Sequence, residues 1–104
     1  MTSAKVSSAK YRTELYNGRH QFFADEPAEI GGADTAPAPD ELLEAALASC
    51  SAITIKMYAE RKGWTLAAAE VNVSLVRING KTTIHREIAL QGELDQEQKD
   101  RLLQ

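Results

Sequence analysis

The sequence has little of several features that mark specialised classes of protein. Its single cysteine in 104 residues excludes a framework of disulfides within one chain. Acidic residues outnumber basic ones by 15 to 12, which argues against a nucleic-acid partner. No apolar run approaches the roughly 18 residues that span a bilayer, and the start has no secretory signal. We therefore expect a cytoplasmic protein with no membrane partner.

The remaining composition is that of an ordinary folded domain. The chain is 43% apolar and 26% charged, close to the average for soluble globular domains. At this length we expect one domain over residues 1–104. Such a chain is only just long enough to form a core of its own.

Two Asn-Gly dipeptides predict two β-hairpins, because a two-residue type I′ turn needs positive φ at both central positions. A turn at Asn79-Gly80 places the pairs from Leu75–Ile84 to Ala69–Leu90 on one face of its hairpin, and these are apolar apart from Arg86, opposite Val73. The other face is polar. A turn at Asn17-Gly18 is the weaker prediction. Its strands would share one face carrying Tyr11, Thr13, Leu15, His20, Phe22 and Ala24.

A long helix is predicted between the hairpins. Residues 25–38 have the glycines and prolines of a loop, and Pro39 begins a helix that runs to about Lys62, with Gly63 as its C-cap. The stretch 42–55 is nearly free of charge, which favours burial on more than one side by sheet or by a second subunit. The fold class is therefore α+β, with two antiparallel hairpins around a long central helix.

A second helix begins near Leu94, and the chain stops as its apolar face appears. About ten residues is short for a stable helix. We therefore expect residues 1–104 to lack the C-terminal part of the domain.

Cys50 is the one obvious nucleophile, and it lies in the middle of the predicted helix. A buried cysteine acting as a small apolar side chain is the simpler interpretation. A reactive thiolate would need a nearby cation, because the helix dipole acts mainly on the first turn. Arg19, after the first turn, and Arg86, on the apolar face of the second hairpin, are the candidates.

Asp40 and Glu41 are the candidate carboxylates at the start of this helix. Asp40 precedes Cys50 by ten residues, about 15 Å along a straight helix, so the two side chains do not touch within one chain. Contact would require a second subunit or a bridging arginine. His20 and His85 have no metal-ligand spacing, and we expect neither a metal nor a cofactor.

Two segments form a specific pattern together: the Ala-Leu-Ala-Ser-Cys run ending at Cys50 and the Met-Tyr-Ala-Glu-Arg-Lys-Gly-Trp run ending at Trp64. Further segments of the same pattern are Gly18-Arg19-His20, Ala24-Asp25-Glu26-Pro27, Gly31-Gly32-Ala33-Asp34, Pro37-Ala38-Pro39 and Gly92-Glu93-Leu94-Asp95. In this order they resemble the OsmC/Ohr family of hydroperoxide reductases, and the resemblance covers nearly the whole chain.

The resemblance implies an intertwined homodimer that reduces organic hydroperoxides with an external thiol or dithiol. Cys50 would be the peroxidatic cysteine, Arg19 the peroxide-site arginine, and Asp40 or Glu41 its carboxylate partner. The family's second, resolving cysteine has no counterpart in these residues. We expect an apolar peroxide site, which favours organic peroxides over hydrogen peroxide. Its predicted lining is Phe22, Phe23, Leu43, Leu47 and Met57.

Two other functions compete with this one. The first is a binding or structural protein that keeps the OsmC fold without turnover, which the missing second cysteine favours. The second is a hotdog-type acyl-thioester hydrolase, which needs a catalytic carboxylate midway along the helix. Glu44 is too near the helix start for that role.

Overall fold

The computed structural model describes all 104 residues, which form two compact units, Met1–Leu43 and Glu44–Gln104. The first unit holds a three-stranded antiparallel sheet in the order β1 (Ser3–Val6), β2 (Thr13–Tyr16), β3 (Gln21–Ala24). Strand β1 is an element that the hairpin pattern did not predict. Helix α1 (Pro39–Lys62) begins in the first unit and continues in the second.

The second unit pairs a long antiparallel hairpin with two helices. Strands β4 (Thr65–Ile78) and β5 (Lys81–Glu93) form the hairpin, and α2 (Gln96–Leu102) follows it. These elements confirm the α+β class, and the bounds of α1 agree with the prediction.

The predicted register of the second hairpin is confirmed. Val73 pairs with Arg86 and Leu75 with Ile84. Asn79 and Gly80 have φ values of 52° and 76°, the left-handed conformation that a type I′ turn requires. The local turn and the alternation of apolar and polar residues therefore select the same register.

The predicted register of the first hairpin is wrong by two residues. Leu15 pairs with Phe22 instead of His20, because the connection spans residues 17–20. The Asn17 side-chain oxygen accepts hydrogen bonds from the backbone N–H groups of Arg19 and His20, at 3.0 and 2.8 Å. This turn, held by the Asn17 side chain, replaces the predicted two-residue type I′ turn. A shift of two residues preserves the faces, so Leu15 and Phe22 still share one.

The segment after β3 is more ordered than the predicted loop. Asp25 is 2% exposed, and its carboxylate accepts hydrogen bonds from the N–H of Glu26 and from the N–H and hydroxyl of Thr35, at 2.7, 3.1 and 2.6 Å. Arg12 donates to the Thr35 hydroxyl at 2.7 Å and lies over the Phe23 ring. A buried carboxylate thus organises the loop.

Helix α1 ends in a Schellman motif. Gly63 has a φ of 72°, its N–H donates to the Glu60 carbonyl, and the N–H of Trp64 donates to the Ala59 carbonyl. The Trp64 ring then packs edge-on against Tyr58, with centroids 5.7 Å apart. The motif turns the chain directly into β4.

The core of the second unit lies on one side of α1. Ile55 and Ala59 are buried against Leu66 of β4 and Leu102 of α2. Within this chain α1 is not buried on several sides as predicted, because β4, β5 and α2 cover one face while Ile53 and Met57 are 57% and 58% exposed.

The expectation that no segment could span a bilayer needs correction. Helix α1 is long and apolar enough to cross a membrane by length and composition. Between Leu42 and Ile55 its one charged residue is Glu44, and the two serines and one threonine of that stretch interrupt the apolar run but barely lower its average hydropathy. Because core helices of soluble proteins pass the same test, the helix alone does not define the class of protein.

Substitution of Ala59 tests the close approach of α1 to the sheet. Ala59 is fully buried, so Ala59→Leu is expected to destabilise the protein by about 1–3 kcal/mol through overpacking. Urea unfolding would measure this. Ala45→Leu on the same helix is the control, because Ala45 is exposed. Equal stabilities of the two variants would contradict the packing described.

Acid titration tests the role of Asp25. Hydrogen bonds, chiefly from the Thr35 hydroxyl, hold the pKa of Asp25 below its usual value of 3.8. A lowered pKa stabilises the folded state above the usual value, and that contribution disappears as pH falls through the folded pKa. Asp25→Asn should therefore lower the melting temperature at pH 7, with a difference from wild type that shrinks below pH 3.8.

The matched control is Glu29→Gln, which neutralises an exposed carboxylate in the same loop. Its melting temperature should follow that of wild type over the same pH range. A difference between Asp25→Asn and wild type that stays constant down to pH 2 would contradict the assigned role of the Asp25 carboxylate.

Candidate functional site

A four-residue spacing along α1 generates the stripe that faces the hairpin. Ala59 and Ile55 lie in the core, and Ser51 and Leu47 continue the same stripe towards the helix start. On β5, alternation places Arg86 on the same face as the core-packed Ile88. The geometry of the two elements therefore brings Ser51 and Arg86 together.

The contact between them is a hydrogen bond. Arg86 Nη1 donates to Ser51 Oγ at 3.0 Å. This hydrogen bond anchors the guanidinium. No carboxylate pairs with Arg86. Arg86 is exposed, so solvent or a ligand can reach the guanidinium.

Cys50 lies beside this pair, at the rim of a cavity of about 240 Å³. Its thiol is free and exposed, so the simpler interpretation of a buried structural cysteine is wrong. The polar residues of the cavity wall are Ser51, Thr54, Arg86 and Gln104, and the rest of the wall is mainly apolar. It is lined by Cys50, Ser51, Thr54, Ile55, Arg86, Ile88, Leu102, Leu103 and Gln104.

The Ser51–Arg86 pair also borders a second cavity of about 410 Å³, together with Leu47, Val73 and Ile84. Leu47, predicted to line the peroxide site, thus shares a cavity with the neighbour of Cys50. Met57 lines another cavity, with Ile53 and Ala69.

The other predicted site residues occupy the first unit. Arg19 is exposed in the turn before β3, and Phe22 and Phe23 lie in β3. Leu43 is exposed on α1, and Asp40 lies in the first turn of that helix.

Glu41 has a local structural role. Its carboxylate accepts a hydrogen bond from the N–H of Ala38 at 2.9 Å, so it caps the start of α1. Glu44 is likewise occupied, since its carboxylate accepts the N–H of Leu75 at 2.8 Å. That bond ties α1 to β4.

The sequence singled out Cys50 and Arg86 as candidates, but not Ser51, which the structure places between them. The available signal was the four-residue spacing that places Ser51 in line with Ile55. No group of three or more His, Cys, Asp or Glu side chains is arranged to hold a metal ion.

Residues 31–104, well over half of the chain, match the OsmC family of OsmC-like proteins. The chain belongs to the OsmC family. Membership of this family is consistent with a soluble protein, in which α1 need not span a membrane. No protein with a curated description matches the sequence.

Solved structures of similar fold cover nearly the whole chain. A candidate osmotic stress induced and detoxification response protein from Psychrobacter arcticus is 25% identical, with a TM-score of 0.80 over 99% of this chain and 80% of its own. A candidate organic hydroperoxide resistance protein from Vibrio cholerae, with captopril bound in one active site, is also 25% identical. Its TM-score is 0.64 over 99% of this chain and 74% of its own.

An organic hydroperoxide resistance protein OsmC from Legionella pneumophila shares the fold. It is 23% identical, with a TM-score of 0.62 over 99% of this chain and 77% of its own. Structural neighbours of this chain are therefore OsmC and organic hydroperoxide resistance proteins.

Proposed function

We propose that the protein is a cysteine-dependent peroxidase of the cytoplasm that reduces organic hydroperoxides. The observation that carries the proposal is the exposed Cys50 thiol at a mainly apolar cavity in a chain of the OsmC family. The names of the Vibrio and Legionella relatives refer to organic hydroperoxide resistance and support the same substrate class.

The chemistry follows from the thiol. The Cys50 thiolate attacks one peroxide oxygen, the S–O bond forms as the O–O bond breaks, and the alkoxide takes a proton to become an alcohol. Sulfur is oxidised to a sulfenic acid and the peroxide is reduced. A first external thiol then displaces water to form a mixed disulfide, and a second releases Cys50 and leaves as the external disulfide.

The cavity wall supports an organic substrate over hydrogen peroxide. Ile55, Ile88 and Leu102 offer apolar surface beside Cys50. Burying an alkyl group stabilises binding by roughly 0.8 kcal/mol per methylene, and hydrogen peroxide has no such surface. Arg19, with Asp40, remains our proposal for the arginine and carboxylate that activate the peroxide.

A stoichiometric reaction tests the peroxidase proposal. The chain contains one cysteine, so the sulfenic acid has no internal thiol to condense with. We expect one equivalent of cumene hydroperoxide to add one oxygen to the intact mass, and dithiothreitol to restore the thiol. Excess peroxide should give sulfinic acid.

The control is Cys50→Ser, which should show no mass change. Equal peroxide consumption by this variant would exclude the proposed reaction. An unchanged mass for wild type, with Cys50 still open to alkylation, would favour a binding or structural protein that keeps the OsmC fold without turnover.

We also propose a homodimer. The exposed Ile53 and Met57 form an apolar face on α1 that this chain does not cover, and such faces mark interfaces. Sedimentation at low micromolar concentration should show a dimer, and Met57→Lys should shift it towards monomer. Lys81→Gln, at the exposed hairpin turn, should leave the dimer intact. A stable, folded wild-type monomer would contradict this.

A further inference from the structure

Arg86 is the one charged residue on its face of β5, and its nearest neighbours there are apolar. Its cross-strand partner is Val73, and its neighbours on the same face of β5 are Ile84 and Ile88. The guanidinium is anchored by one hydrogen bond to Ser51 and has no carboxylate partner. Four of its five N–H donors are therefore open to a ligand.

The open guanidinium borders the same cavity as the Cys50 thiol. Cys50 and Ser51 are consecutive, and consecutive Cα atoms lie about 3.8 Å apart. With the 3.0 Å bond from Ser51 to Arg86, the thiol and the guanidinium are at most about 12 Å apart. A ligand of a few carbons can contact both groups.

The chemistry of the two ends defines the ligand. A guanidinium binds a carboxylate with two parallel hydrogen bonds, a geometry that an ammonium does not match. The cavity between the two ends is lined by apolar side chains such as Ile55 and Ile88. The surface fits a molecule with an acid group, a short apolar spacer and a group that reacts with the thiol.

We infer that Arg86 is a specificity-determining residue that binds the carboxylate of short hydroperoxy acids while Cys50 attacks their peroxide bond. The inference rests on the proposed peroxidase function and narrows its substrate class. The carboxylate stays intact through the reaction. The thiolate takes one peroxide oxygen, and the product is the hydroxy acid of the same carbon chain.

The length of the spacer is part of the inference. Because about 12 Å is the upper limit of the gap, a spacer of no more than about three to five carbons fits after allowance for contact at each end. An acid group a dozen carbons from the peroxide would extend past Arg86 into solvent. Arg86 would add little to the binding of such a substrate. The expected preference for short hydroperoxy acids is therefore different from a general preference for long apolar peroxides.

The experiment compares 4-hydroperoxy-4-methylpentanoate with its methyl ester, which has the same spacer but no charge. The second-order rate constant of Cys50 oxidation is measured for both in single-turnover reactions. Because the site is solvent-exposed, we expect the acid to react about fivefold faster than the ester at low salt. High salt should reduce this ratio by screening the charges.

Variants locate the origin of the preference. Arg86→Gln should bring the acid-to-ester ratio to about one, whatever its effect on the ester alone. Arg86→Lys, which keeps the charge but not the paired donors, should give an intermediate ratio. Lys81→Gln is the matched control, because it removes a positive charge from the same strand outside the cavity. Its ratio should equal that of wild type.

A binding measurement separates this inference from the peroxidase proposal. The reaction product, 4-hydroxy-4-methylpentanoate, should slow alkylation of Cys50 by iodoacetamide in wild type but not in Arg86→Gln. Protection without peroxide reduction would overturn the peroxidase function and keep the anion site. A wild-type ratio of one, an unchanged ratio in Arg86→Gln, or the absence of protection would each overturn the inference.

Discussion

The close approach of α1 to the β4–β5 hairpin at Ala59 is the constraint on which the second unit depends. The methyl group of Ala59 is fully buried at this contact, in one cluster with Ile55, Leu66 and Leu102. Because a helix is rigid, this contact also fixes the side chains eight or nine residues earlier. Ser51 lies on the stripe of Ala59 and meets Arg86, while Cys50 precedes it by one position and is turned about 100° away. That rotation is consistent with an exposed thiol beside a stripe that is half-buried at Ser51 and buried at Ile55 and Ala59.

A core on one side of α1 has consequences for stability and for assembly. The burial of Ile55, Ala59, Leu66 and Leu102 leaves the opposite face of the helix to solvent in a single chain. The Glu44–Leu75 hydrogen bond holds the early part of α1 against β4, where the core does not extend. The helix is therefore positioned at one end by packing and at the other by a side-chain bond to a backbone N–H.

The two hairpins show which parts of the fold a sequence can specify. At Asn79-Gly80 the turn and the alternation of faces agree, and the predicted register is correct. At Asn17 the side chain accepts two backbone N–H groups, and the connection widens to four residues. Propensity alone does not distinguish these outcomes, because an asparagine favours both conformations. The buried Asp25 was unpredictable for a related reason, since its partner Thr35 is ten residues away in a segment without periodicity.

A candidate site residue could be picked out from the sequence when its chemical type differs from that of the residues around it. Cys50 is the only thiol, and Arg86 is the only charge on an apolar strand face, so both were identifiable. Ser51 is one of several serines, and its role depends on a hydrogen bond between two distant elements. That bond holds the guanidinium near Cys50 without neutralising its charge, because the Ser51 hydroxyl accepts a hydrogen bond but is itself uncharged. A carboxylate at position 51 would have fixed Arg86 equally well, yet it would have cancelled the positive charge at the cavity. Serine therefore positions the cation and leaves it available to an anion.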